Sequence, residues 1–212
     1  MLKAVKVLVL GLCLLPLAGM ADETYVEGKD YQVLSEPVHT PDPKKIQVIE
    51  FFSYACPHCN AFDPVVTPWA AKLGDDVQFD HVPVVFHPSW EGLARTYYAT
   101  HEVGVEEKIH APLFAAIHQD HRNLSTKENL VAFMKEQNVD AEQFAKVYSS
   151  FATDMRLKKG EGLLASYEVT GVPSITINGK YVVAPVNSGE DTFTHMLKVA
   201  DYLIAKERKA MQ

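Results

Sequence analysis

Apolar runs alternate with helix-like segments along most of this chain. Residues 46–52 form a nearly continuous, β-rich apolar run, which is typical of a strand covered on both faces of a sheet. Residues 77–86 form a second run of this kind. Between the two runs, four large apolar residues recur at helical spacing, namely Phe62, Val66, Trp69 and Leu73. The pattern therefore predicts a strand, a helix and a second strand, in that order.

A block of helices is predicted for residues 89–167. A capping box at residues 125–128 marks one helix start, with Ser125 as the cap, and residues 140–143 mark another. Helices of this length are too short to be stable alone in water, so we expect them to pack together as a small bundle.

The last part of the chain carries the signals of a β-hairpin followed by a helix. Asn178-Gly179 separates two β-rich runs, which is a strong hairpin signal, and Pro173 opens the first of these strands. A final helix with one apolar face is predicted to begin near Ser188.

The composition of the chain argues against several classes of protein. The chain has 212 residues, of which 47% are apolar, so it can build a hydrophobic core and is not a disordered protein. Its formal net charge of −7 argues against a nucleic-acid partner, because phosphate contacts need a clustered basic surface. Three cysteines are too few for a disulfide scaffold.

Residues 1–21 resemble a secretory signal peptide. Lys3 and Lys6 precede an apolar run at residues 7–17, and small residues follow up to Ala21. A membrane anchor is the alternative, but the apolar run is shorter than the roughly 20 residues that a spanning helix needs. We therefore expect cleavage after Ala21 and an exported protein, which leaves two cysteines in the mature chain.

These two cysteines stand in the motif Cys56-Pro57-His58-Cys59, where the first strand turns into a helix. A helix N-terminus carries partial positive charge and unpaired N–H groups, so it favours a thiolate at Cys56. Cys59 falls on the same helical face, within reach of a disulfide but further inside. Pro57 suits an early helical position, and a protonated His58 adds positive charge beside the sulfurs. The arrangement predicts a reactive redox pair.

Two other readings of the cysteines compete with this one. A structural zinc site would need four ligands, and there is no second cysteine pair to supply them. A purely structural disulfide would close a small, strained ring that stabilises little. We expect neither, and we predict no metal site and no cofactor.

The chain resembles the DsbA family of exported thiol:disulfide oxidoreductases over nearly all of its mature length. The resemblance rests on residues 48–52, the Cys56-Pro57-His58-Cys59 motif, Trp69, the loop Thr170-Gly171-Val172-Pro173 and residues 178–181. It implies an α/β protein with a thioredoxin-like fold and an inserted α-helical domain. The thioredoxin-like domain would comprise residues 22–88 and 168–212, and the helical insertion residues 89–167.

The resemblance also implies roles for three residues outside the cysteine motif. Val172-Pro173 would be a cis peptide bond facing the cysteines, with the Val172 backbone pairing with a bound substrate peptide. Glu50 matches a buried acid that moves protons to and from Cys59, although a carboxylate on a half-exposed strand is the alternative. The one candidate for a basic partner of Glu50 is His81 on the next strand.

Other residues invite a functional reading that the sequence does not require. Three histidines of the helical block are predicted to lie on a solvated helix face rather than to bind a metal, namely His110, His118 and His121. An aromatic group near the entry to this block, made of Phe86, His87 and Trp90, fits a peptide-binding groove and core packing equally well.

Together these observations predict a periplasmic dithiol oxidase. It would pass its Cys56–Cys59 disulfide to newly exported proteins with free cysteines. The resemblance to the DsbA family implies that a DsbB-type membrane quinone oxidoreductase would reoxidise it. A monomer is expected. One alternative is a reductase or isomerase, although residues 22–45 are too few for the dimerisation domain that related isomerases carry. The other is a non-catalytic, chaperone-like binding protein.

Overall fold

A mixed five-stranded sheet lies at the centre of the described part of the protein. The computed structural model describes residues 25–187, 189 and 191–211. Its strands are β1 (Gln32–Val33), β2 (Ile46–Phe52), β3 (Val77–Pro83), β4 (Ser174–Ile177) and β5 (Tyr181–Val183). They lie in the order β1-β5-β4-β2-β3, and only the β2–β3 pair is parallel.

Seven α-helices accompany the sheet in this part of the chain. They are α1 (Pro57–Ala70), α2 (Glu91–Glu102), α3 (Glu106–His118), α4 (Lys127–Glu136), α5 (Ala141–Tyr148), α6 (Phe151–Ser166) and α7 (Thr192–Ala210). The predicted order of strand, helix, strand, helical block, hairpin and helix is confirmed. Helices α2 to α6 all fall between β3 and β4 in sequence, while the exact division into domains stays a prediction.

Three apolar clusters make up the core of the described residues. In the first, residues of α1 and α7, such as Phe62 and Leu203, pack against β2 and β4. The second lies around Phe51 and Tyr167. Helices α2 to α6 contribute to the third, which also includes Phe52 at the end of β2, Tyr54 just after it, and both Cys56 and Cys59. The cysteine pair therefore lies where the helical block meets the sheet.

The register of β2 places a carboxylate beside a histidine. β2 lies between β4 and β3, and all of its residues except Gln47 are buried. In the parallel ladder Glu50 lies opposite His81, and in the antiparallel ladder it lies opposite Ile175. Parallel pairing at this register is the reason that two residues 31 positions apart in sequence can meet (81 − 50 = 31).

The predicted hairpin is present, and its turn requires glycine. Gly179 has a φ of +69°, a conformation that glycine adopts without steric cost. A Cβ atom at this position would also collide with the carbonyl oxygen of Val38. The N–H of Val38 donates to the Gly179 carbonyl at 2.7 Å, so the segment before β2 lies directly on the hairpin.

Three element boundaries differ from the predictions. β3 ends at Pro83 instead of residue 86, because the strand that it pairs with, β2, ends at Phe52 opposite Pro83. The cap of α4 is Thr126, whose hydroxyl accepts the Asn129 N–H, and not Ser125. The last helix begins at Thr192 after the cap Asp191, four residues later than predicted (192 − 188 = 4), and Ser188 itself lies outside the described residues.

Two further outcomes concern the first part of the chain. The short edge strand β1 was not predicted, because two residues are too few for an alternation to be recognised. The predicted signal peptide at residues 1–21 lies outside the described residues. Among the residues described, no helix has the length and apolar character needed to cross a membrane.

Candidate active site

Cys56 and Cys59 lie at the beginning of α1, as the sequence predicted. Cys56 is the N-cap residue, with extended backbone, and Pro57 occupies the first helical turn. Both cysteines are free thiols and buried, whereas Pro57 and His58 are exposed. The exposed fraction is 7% for Cys56 and 1% for Cys59, so an incoming sulfur reaches Cys56 more easily.

The surroundings of Cys56 favour its thiolate. A hydrogen bond from the Cys59 thiol is the largest influence, and it lowers the pKa of Cys56 from its ordinary value of 9.0 to about 6, against the opposing effect of burial. The backbone N–H groups of His58 and Cys59 and the charge of His58 act in the same direction. The neutral thiol makes no capping hydrogen bond, so these N–H groups act on the anion.

Cys59 is held in the opposite state. Its hydrogen bond to Cys56 and its burial raise its pKa well above the ordinary value of a thiol, and the negative charge of Glu50 adds to the shift. At neutral pH the reduced pair is therefore one thiolate at Cys56 and one thiol at Cys59. Sequence reasoning identified the helix N-terminus and His58 as the causes but missed the larger contribution, which comes from Cys59 itself.

The loop before β4 faces the cysteines. Val172–Pro173 is a cis peptide bond, as the family resemblance implied. In the thiol form, the Cys56 S–H points to the carbonyl oxygen of Val172 across 3.5 Å. Next to this loop lies a cavity of about 440 Å³, whose lining includes residues 28–32, Thr170 and Val172.

Glu50 and His81 form a charged pair beneath the cysteines. Glu50 is buried, with 3% of its surface exposed, so the alternative of a half-exposed carboxylate is wrong. His81 Nε2 lies 3.2 Å from Glu50 Oε2, and the contact is one of charge, because no well-aligned hydrogen bond joins the two groups. Burial alone lowers the pKa of His81, but the Glu50 carboxylate outweighs burial and raises it.

The prediction of a solvated face for the three histidines is wrong for two of them. His110 is buried and contacts Tyr54 and Asp63, and His118 is half-buried and contacts the backbone of Tyr54. Both point towards the core because they share the face of α3 that carries Phe114. His121 is exposed, and it lies after the end of α3 instead of within a helix.

The three residues of the aromatic group at the entry to the helical block differ in exposure and in contacts. Phe86 is 42% exposed and lies 6.0 Å from the half-buried ring of Trp90, measured between ring centroids. Trp90 packs against the same apolar clusters as Val172, while His87 is exposed and caps a short turn by accepting the Ser89 N–H. In the part of the chain described, no group of three or more His, Cys, Asp or Glu side chains is arranged to bind a metal ion.

Most of the chain matches a known protein family. Residues 47–198 match the model of the DSBA-like thioredoxin domain family. The chain belongs to this family. It is 42% identical to the thiol:disulfide interchange protein DsbA of Pseudomonas aeruginosa over 194 residues, which cover 92% of this chain and 90% of that protein. The DsbA protein of Burkholderia cepacia is 34% identical over 84% of this chain and 83% of its own length.

Solved DsbA structures have the same fold. The crystal structure of Pseudomonas aeruginosa DsbA matches 90% of this chain and 97% of its own, with a TM-score of 0.84 and 41% identity. DsbA from Xylella fastidiosa matches 87% of this chain and 98% of its own, with a TM-score of 0.80 and 30% identity. The thioredoxin-like α/β fold with a helical insertion is thus confirmed. Like its DsbA relatives, this protein is a disulfide-introducing thiol:disulfide oxidoreductase, and its substrates are proteins with cysteines.

Proposed function

We propose that this protein is a periplasmic dithiol oxidase that uses the Cys56–Cys59 disulfide as its reactive group. The opposite pKa shifts of the two thiols are the observation that supports this direction of electron flow. A stabilised Cys56 thiolate stabilises the reduced protein, which makes the disulfide a stronger oxidant. At pH 7, about one unit of the shift counts, which corresponds to about 1.4 kcal/mol or about 30 mV.

The proposed reaction has two exchange steps. A substrate thiolate attacks the Cys56 sulfur, the Cys56–Cys59 bond breaks, and Cys59 leaves as a thiolate that takes up a proton. A second substrate thiolate then attacks the substrate sulfur of the mixed disulfide, and Cys56 leaves as its stable thiolate. The substrate has lost two electrons and gained a disulfide, and the enzyme holds one thiolate and one thiol.

Glu50 and His81 are proposed to supply the proton that Cys59 needs. The two side chains are 3.2 Å apart and are shielded from bulk water on the Glu50 side. The Glu50 carboxylate raises the pKa of His81 against the effect of burial, which favours a proton on the pair. In this role Glu50 delivers the proton to the departing Cys59 thiolate, and His81 restores it.

Val172 and Pro173 are proposed to bind the substrate chain. The Val172 carbonyl lies 3.5 Å from the sulfur that accepts the attack, so an extended peptide held along this loop would bring its own cysteine to Cys56. The adjacent cavity of about 440 Å³ leaves room for side chains next to that cysteine.

The partner and the compartment follow from the same proposal. The signal-peptide pattern of residues 1–21 supports export, and the reaction fits the oxidising periplasm. Each turnover reduces the enzyme by two electrons, so a second protein must remove them. We propose a DsbB-type membrane quinone oxidoreductase for this step and a monomer as the working form.

The redox equilibrium of the mature protein with glutathione tests the proposed direction. The protein is equilibrated in buffers of defined ratios of reduced to oxidised glutathione, its free thiols are alkylated, and the two states are counted by mass. We expect half-oxidation well on the oxidising side of the glutathione couple. A disulfide that survives strongly reducing buffers would instead indicate a reductase or a structural bond.

The role of Glu50 is tested by Glu50→Gln. We expect the reduction of the disulfide by a cysteine-containing peptide at pH 7 to slow about tenfold or more, because the departing Cys59 thiolate loses its proton donor. The rate is measured by rapid mixing and acid quenching. Glu207→Gln is a matched control, since Glu207 is also a buried glutamate but pairs with Lys180 on the hairpin. Equal rates in Glu50→Gln and the parent protein would contradict the assignment.

A further inference from the structure

Two histidines of α3 contact one residue of the loop before Cys56. The residue is Tyr54, whose surface is 1% exposed. His118 Nε2 lies 2.8 Å from the Tyr54 carbonyl oxygen, and His110 Nδ1 lies 2.8 Å from the Tyr54 hydroxyl. The helical block thus holds both the backbone and the side-chain tip of this residue.

The hydrogen bond between His118 and Tyr54 has a direction that its atoms fix. A carbonyl only accepts, so His118 Nε2 carries the proton of its bond to Tyr54. Burial raises the pKa of Tyr54 well above its ordinary value, so its hydroxyl stays protonated, and it shares one hydrogen bond with His110 Nδ1. The opposite ring nitrogen, His110 Nε2, lies 3.3 Å from Asp63 Oδ1.

Asp63 is suited to accept a hydrogen bond from His110 Nε2. Burial raises the pKa of Asp63, but hydrogen bonds from His110 and Thr67 outweigh burial and lower it, so the carboxylate is charged. The Thr67 hydroxyl donates to the same oxygen at 2.9 Å. A second carboxylate, Glu106 Oε1, lies 3.6 Å from His110 Nδ1, and the ring centroid of His81 is 5.2 Å from that of His110.

The two ends of this network lie on either side of Cys56. Tyr54 lies in a turn in which the Cys56 N–H donates to the Ser53 carbonyl at 3.0 Å. Asp63 lies on α1, one helical turn after Cys59 and on the same face. The network therefore ties the loop before Cys56 to the helix after it, through a side chain supplied by the helical block.

We propose that Tyr54, His110, His118 and Asp63 form a loop clamp that positions the Cys56 sulfur. The clamp residues do not touch the reacting sulfurs. They hold the loop so that Cys56 remains within reach of the Cys59 thiol and of the N–H groups of α1. The helical insertion would then help to position the reactive cysteine. The inference rests on the proposed role of Cys56.

Hydroxyl and ring-nitrogen deletions test the loop clamp. Tyr54→Phe removes the bond to His110 and keeps the aromatic ring in the core, and His118→Leu removes the bond to the backbone. We expect each to raise the Cys56 pKa, measured as the pH dependence of its alkylation rate. We also expect the glutathione equilibrium to shift about fivefold towards the disulfide, the size of effect that one lost hydrogen bond gives.

The controls separate positioning from general stability. His118→Gln keeps an N–H donor at the end of the side chain and is expected to restore the parent values. Tyr148→Phe removes a phenol hydroxyl from α5 in the same apolar cluster, away from the loop, and is expected to leave both readouts unchanged.

Two results would overturn the clamp. One is that Tyr54→Phe and His118→Leu lower the unfolding temperature but leave the Cys56 pKa and the equilibrium unchanged. The other is that Tyr148→Phe shifts both readouts as far as Tyr54→Phe does. Either result leaves the proposed oxidase function intact, because that function is judged on the equilibrium of the parent protein alone.

Discussion

A Cys59→Ser variant is expected to accumulate a stable mixed disulfide at Cys56, whereas Cys56→Ser is expected to form almost none. In Cys59→Ser the remaining thiol is the more exposed one, and no neighbouring thiol can release the bound partner. In Cys56→Ser the remaining thiol is buried, with 1% of its surface exposed, and burial keeps it protonated. Only the thiolate reacts, so the two variants should differ greatly in rate.

The size of this difference follows from the thiolate fractions. With a pKa of about 6, Cys56 is mostly ionised at pH 7, whereas an ordinary thiol of pKa 9.0 is about 1% ionised there. We expect oxidised glutathione to modify Cys56 in Cys59→Ser about a hundredfold faster or more than it modifies Cys59 in Cys56→Ser. The hydroxyl of serine in Cys59→Ser can still donate to the Cys56 thiolate, so the reactive state should survive that substitution.

Mass spectrometry of the quenched mixtures measures the outcome directly. One glutathionyl group should appear in Cys59→Ser within the time in which Cys56→Ser remains unmodified. A double variant that lacks both thiols shows the background. Equal modification of the two single variants would mean that Cys56 is not the attacked sulfur, and the proposed order of the exchange steps would then be wrong.

Much of this site could be predicted because its signals are local. Three features carry signals of this kind, each within a short stretch of sequence: the strand at residues 46–52, the Cys-Pro-His-Cys motif and the Asn178-Gly179 turn. Local signals of this kind depend on hydrophobic period and backbone preference, which a sequence displays directly. The caps of α4 and α7 differ from the predictions because two acceptable capping residues lie close together at each.

The environment of Glu50 could be predicted only in part. A single acidic residue in an apolar strand fits either a half-exposed edge or a buried pair, and the choice depends on which strand lies beside it. The parallel register of β2 and β3 decides it by placing Glu50 opposite His81. Register is a property of two distant segments, so the sequence supplied His81 as a candidate but not the contact.

The burial of His110 and His118 differs from the prediction, which rested on the polarity of histidine alone. His110 lies three and four residues before Leu113 and Phe114, which are buried, so it shares their face of the helix. That spacing was the available signal. What the sequence could not supply is Tyr54 and Asp63, two polar partners from other segments that make burial of a histidine tolerable.

As the pH rises from 6 to 9, the free energy of unfolding of the reduced protein is expected to rise relative to that of the oxidised protein. The folded pKa of Cys56 is about 6 and its ordinary value is 9.0, so the stabilisation is complete only above pH 9 and is lost as the pH falls through 6. The full shift of three units corresponds to about 4 kcal/mol, of which about 1.4 kcal/mol is present at pH 7. The oxidised protein has no thiol to ionise and serves as the reference.

Chemical unfolding of both redox states at several pH values measures this difference. The difference in the free energy of unfolding should grow by about 1 kcal/mol per pH unit on average between 6 and 9. Groups that titrate alike in both states, such as exposed carboxylates, cancel in the subtraction. A reduced Cys56→Ser variant is the control, and its stability should lack this slope.

Cys59 limits the effect at alkaline pH. Its pKa is raised in the folded protein, so above pH 9 the unfolded chain ionises Cys59 while the folded chain keeps the proton, which favours unfolding. The stability difference between the redox states should therefore reach a maximum near pH 9 and then decline. A difference that stays constant from pH 6 to 9 would contradict the lowered pKa of Cys56, and with it the physical reason for expecting an oxidising disulfide.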